Sequence, residues 1–245
     1  MNSSLYMLFT ILISFHILYP DCYVREKLHT DSYYHSGVVH PAEDSEREVW
    51  IGEKKLCTLR QNWKIVLDLN KNMMFIINLM DSSYVECGLP FQWSKVVSEE
   101  FVGMLKVFET KGTVQKTEKK KKIGTWDCQE FVVNSYMIYE GSKFNETDSK
   151  IWASPEMLSD EETFSRMIGI MRKFANYDSS FIEQLSDIEG YQISLESLFY
   201  PKGFSVTSSQ KVVEVIESDP PSGIYEVPAA FSKKENLTLD ELRSL

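Results

Sequence analysis

Histidine and cysteine have the widest chemical reach in this sequence, with four residues of each. His16 falls in an apolar N-terminal run, which leaves His29, His35 and His40. The pattern there predicts one long strand near His29 to Val39. On such a strand, residues of like parity share a face, so His29 and His35 lie roughly 20 Å apart and His40 points the other way. They do not close a metal site by themselves. A thiol nucleophile would need an imidazole beside Cys57, Cys87 or Cys128, and nothing in the spacing requires one; an isolated cysteine is more commonly buried and inert. The sequence has no Cys-x-x-Cys, Gly-x-Gly-x-x-Gly, Gly-x-Ser-x-Gly or His-Glu-x-x-His motif. The paired acids Glu99-Glu100 and Glu161-Glu162 open helices, where the helix dipole favours them. The expectation is therefore a protein that is not an enzyme, with no catalytic residue, metal or cofactor.

Lys and Arg total 26 against 36 for Asp and Glu, a net charge of -10. A general grip on phosphate backbones needs a basic surface, so nucleic acid is not an expected partner. From Leu5 to Tyr19 the chain is apolar but shorter than the roughly 20 residues that span a bilayer. Residues 1–21 read as a signal peptide and imply export to the periplasm, cell envelope or outside. Cys22 follows at once and is the lipidation candidate. A soluble secreted form and a form anchored through Cys22 both remain open, and membrane contact is expected only through that anchor.

Residues 54–87 read as four short strands. They are separated by the polar pairs Gln61-Asn62, Asn70-Lys71 and Asp81-Ser82. In such a meander Cys57 and Cys87 sit three strands apart, roughly 14 Å, too far for a disulfide. Further strands are expected at 112–115, 123–139, 150–153 and 203–217, with the lysine run 119–122 at a hairpin tip. Ser98 can cap a helix bearing Phe101, Val102, Leu105 and Phe108. Ser159 with Glu162, and Ser180 with Glu183, form candidate capping boxes for two more helices. The residues from Pro220 to Leu245 read as a turn, a short strand at 223–228 and a loose charged end.

Several strands are apolar on both faces, so the sheet needs cover on each side. Met and Phe on the helices suit a soft, adaptable lining. Leu67 and Phe75 from the sheet, with Met167, Met171 and Phe174 from a helix, are the candidate ligand-lining residues. The runs EVWIG (48–52), IVLDLNKNMMFIIN (65–78), SYVECGLP (83–90), IGTWDCQEF (123–131), KIWAS (150–154) and GIYEVPAAF (223–231) follow in order. With these runs the chain resembles a family of exported bacterial domains of unknown function, itself similar to the LolA/LolB lipoprotein carriers. The resemblance implies an α+β fold in one domain over 22–245, an antiparallel half-barrel packed over amphipathic helices. It also implies an apolar cavity and no known activity. Two functions follow as expectations. One is a cell-envelope protein holding a lipid or other apolar ligand; the other is an interaction protein whose core is filled by its own side chains.

Overall fold

The computed structural model describes residues 20–35, 37–157, 160–201 and 203–245. The apolar run that marks the expected signal peptide, and Ser159, lie outside the described residues. In chain order the strands are β1 (Asp21–Thr30), β2 (Tyr33–His35), β3 (Val38–His40), β4 (Glu43–Ile51), β5 (Lys55–Arg60), β6 (Trp63–Asp68) and β7 (Met73–Asn78). They continue with β8 (Ser83–Gly88), β9 (Thr110–Ile123), β10 (Trp126–Tyr139), β11 (Ser142–Ser154), β12 (Tyr191–Tyr200), β13 (Val206–Ser218) and β14 (Ser232–Lys233). The helices are α1 (Glu99–Val107), α2 (Glu161–Phe174), α3 (Ser179–Leu185) and α4 (Leu239–Ser244). Twelve strands form one sheet in the order β14-β8-β7-β6-β5-β4-β1-β13-β12-β11-β10-β9, and β2 with β3 makes a separate hairpin. Neighbours are antiparallel except β14 with β8. With β14 and β9 as its two edges, the sheet does not close into a barrel. The chain is a mostly-β single domain with few helices.

The meander β5–β8 forms as its alternation and turn residues dictate, and two of its turns are longer than the polar pairs suggest. The β6–β7 ladder stops at Asp68 opposite Met73 because the Asp68 carboxylate accepts the Lys71 amide at 3.0 Å. The β7–β8 ladder stops at Asn78 opposite Ser83, where the Asn78 side chain accepts the Met80 amide at 3.0 Å. Both side chains build the turn themselves, as short Asx residues do. Cys57 and Cys87 are unbonded, as are Cys22 and Cys128.

Other elements depart from the expectation. The histidines do not share a strand: the chain turns after Thr30, leaving His29 on β1 and folding His35 and His40 into the small hairpin. Tyr33 stacks on His40 at 4.5 Å and on Phe204 at 5.2 Å, an aromatic contact that outweighs a continued strand. The lysine run lies within the edge strand β9, where charge discourages further strand pairing. Residues 191–200, for which no element was expected, form β12. The caps of α2 and α3 are Asp160 and Asp178, which accept the Thr163 and Phe181 amides, in place of the two serines proposed. An ionised carboxylate at that position adds charge to the hydrogen bond and complements the dipole.

The C-terminal residues are not loose. Ile224, Tyr225, Val227 and Phe231 pack on one face of the meander against Trp50, Cys57, Val66 and Ile77. No strand forms over 223–228: residues 222–225 turn and 226 bends, and Lys64 reaches out of β6 to donate to the Gly223 and Glu226 carbonyls at 2.8 and 2.9 Å. Thr238 and Glu241 then cap α4 reciprocally, and Leu237 is buried. The opposite face of the meander belongs to a larger cluster containing Leu56, Trp63, Leu67, Met74, Ile76, Val85 and Cys87. Phe164, Met167 and side chains from α1 cover it. Lys64 is nearly buried, so Lys64→Ala removes the donors of two carbonyls in a packed tail. It should cost about 2–3 kcal/mol in chemical denaturation and speed proteolysis at 220–231. Unchanged proteolysis there would mean that the tail is held by its apolar side chains alone.

Candidate functional site

Four of the five expected lining residues come together and one does not. Leu67 and Met167 are buried members of the large cluster, and Met171 and Phe174 pack against it. Phe75 lies on the other face, in the cluster covered by the C-terminal residues. Strand parity explains the correction: Leu67 pairs with Met74 and Val66 with Phe75, so Leu67 and Phe75 point to opposite sides. The centre of the expected cavity is also closed, with Leu67 0% and Met167 1% exposed. Phe174 stacks on Trp93 at 5.2 Å and meets Phe91 edge-on at 5.5 Å, which closes the far end of α2.

Open concavities lie elsewhere. A cleft of about 490 Å³ runs along Met73, Glu86, Gly88, Pro90, Lys95 and Lys233. A smaller apolar hollow of about 350 Å³ is lined by Phe108, Tyr139, Ser142 and Phe144, between the end of α1 and the β10–β11 turn. None of the five expected residues lines either one.

The sequence reading missed a buried charged cluster. Glu26 is completely buried in β1 and accepts from Tyr191 Oη at 3.0 Å, Gln210 Nε2 at 2.8 Å and Arg47 Nε. The pairing is dictated by register, since Glu26 sits opposite Arg47 on β4. Burial, and then the Glu26 carboxylate, hold the Tyr191 phenol well above its ordinary value. A signal existed in the sequence: Glu26 occupies an inward position between Val24 and Leu28, where an apolar residue would be the default.

Cys22 is the second residue of β1, paired to Ile51 on β4 and Glu217 on β13, and half-buried against the large cluster. Asp21, assigned to the leader, already pairs with Ser218 and accepts from the Tyr225 hydroxyl. Burial raises the Cys22 thiol to about 11, Cys57 to about 12 and Cys87 to about 11, and Cys128 moves the same way. All four are neutral thiols at physiological pH, poor nucleophiles and poor metal ligands. Among the described residues no group of three or more His, Cys, Asp and Glu is placed to hold a metal.

His29 is bracketed by Asp44 at Nδ1, 2.8 Å, and Asp31 at Nε2, 3.0 Å, and these hydrogen bonds raise its pKa. Its contribution to stability is therefore complete below about pH 6.5 and is lost as pH rises through the folded-state value. NMR titration should place the His29 midpoint above the free-histidine value, and Asp44→Asn should lower it; a midpoint unmoved by that change contradicts the assignment. For the helix face, Met167→Ala should cost about 2–4 kcal/mol in chemical denaturation, while Lys173→Ala on the exposed side stays within about 0.5 kcal/mol. Equal, small effects would indicate a loose space under α2.

Compared with models of known families and with curated proteins, the chain matches none.

Proposed function

We propose that the chain is an exported, non-enzymatic interaction protein of the cell envelope, a half-barrel filled by its own side chains that works through its surface. The observation that carries this reading is the burial of Leu67 and Met167, where a ligand chamber was expected. Twelve twisted strands in one sheet favour the half-barrel, because open sheets of more than about ten strands curl. Four neutral thiols argue against cysteine chemistry. Export, and the choice between a released form and one anchored at Cys22, rest on the apolar run at 5–19.

One observation favours the lipid-holding alternative. Trp93 Nε1 is buried beside Phe174 with no acceptor among the described residues, and a buried unpaired donor is costly. An ester or carboxylate oxygen of a lipid entering along α2 would satisfy it. Native mass spectrometry and solvent extraction of protein purified without detergent separate the two readings. The interaction reading expects the bare chain mass and no uptake of an apolar dye. A co-purifying acyl species, lost in Phe174→Trp, would overturn it in favour of a carrier.

A further inference from the structure

The free edge of β8 carries a site that the rest of the fold leaves unused. β14 adds to this edge in parallel, but only at Ser83 and Tyr84, where Ser232 N donates to Ser82 O and Lys234 N to Tyr84 O. Outward-facing backbone groups recur at every second residue of a strand, so Glu86 and Gly88 are next in that series. Among the described residues no added strand reaches them, because after Lys234 the chain turns away and Leu237 N bonds to Val96 O. The cleft of about 490 Å³ opens at this point, with Glu86, Cys87, Gly88 and Leu89 along one wall and Gln92, Lys95 and Lys233 around it. Its volume is that of a small-ligand site. A Cβ built on Gly88 would meet nothing closer than the Asn72 carbonyl at 4.0 Å, so the face of the sheet over Gly88 is uncrowded.

Charge narrows the occupant. Lys233 donates to Glu86 at 2.8 Å, so those two groups neutralise each other. Lys95 is exposed and makes no ion pair among the described residues. Among the described residues the cleft therefore offers strand donors and acceptors without partners next to one uncompensated ammonium. We propose that it binds an extended peptide segment of a partner by strand addition alongside Glu86 and Gly88, with a carboxylate at the end of that segment held by Lys95. The mode is the one that β14 already uses on the same edge, continued by a second chain. The proposal rests on the interaction-protein reading and names the surface through which it acts.

The test is titration of the full chain with a valine–threonine pentapeptide bearing a free C-terminal carboxylate, followed through the Glu86 and Gly88 amide resonances. Saturable shifts at those amides are expected. The same peptide N-methylated at alternate residues keeps its charge and side chains but loses its strand donors, and should bind about tenfold more weakly or worse. Amidating the C-terminus and changing Lys95→Glu should each weaken binding. Their combination should weaken it little further, because both remove one contact. No saturable shift at millimolar peptide, equal binding of the N-methylated peptide, or indifference to Lys95→Glu would each overturn the site. Co-purified lipid would instead overturn the reading on which it rests, so the two failures are distinguishable.

Discussion

Strands β5–β8 carry apolar side chains on both faces, and a sheet of that kind must be covered twice. Leu56, Leu67, Met74, Ile76 and Val85 go to the helix side; Cys57, Val66 and Ile77 go to the other. Each buried Ile or Leu is worth roughly 1.5–3 kcal/mol relative to exposure, so neither face can be left to water. The architecture follows from that demand. Helices α1 and α2, the segment around Phe91 and Val97, and Leu237, Leu242 and Leu245 from the chain's end supply one cover, and Ile224, Tyr225, Val227 and Phe231 supply the second. Lys64, flanked on β6 by Trp63 and Ile65, serves the second cover through two backbone carbonyls.

In the hydrogen-bonded sheet the two halves join at β1, between β4 and β13. The one carboxylate buried in that strand draws its donors from both sides: Arg47 on β4, Gln210 on β13 and Tyr191 on β12. A buried charge missing any of these partners would be strongly unfavourable, so the cluster fixes which strand lies beside which more than it adds net stability. A bulge in β13, where Val213 is the extra residue opposite Arg25/Glu26, sits at the same place.

Local pattern made much of this legible. The meander, α1 and the amphipathic α2 are written in alternation, helical spacing and turn residues, and they form where those signals put them. What depends on distant partners was hidden. GIYEVP looks locally like a strand, but its apolar residues are claimed by Trp50, Val66 and Ile77, far away in sequence, and its carbonyls by Lys64. Glu26 was visible as an oddity, yet its donors come from three strands that composition cannot bring together. At the candidate site the helix residues and Leu67 share one cluster and Phe75 lies in the other. Strand parity alone dictates that split, since any antiparallel register that pairs Leu67 with Met74 sends Phe75 to the opposite face.

The proposed function depends on a core that is full under α2. Xenon probes this directly, because it enters apolar voids that water leaves dry and needs no knowledge of a natural ligand. Titration of the purified chain with xenon, followed through the methyl resonances of Leu67, Met74, Met167 and Met171, should give only small, linear shifts. A saturable xenon site at those methyls, abolished by Met167→Phe, would reveal a chamber beneath the sheet and contradict the account.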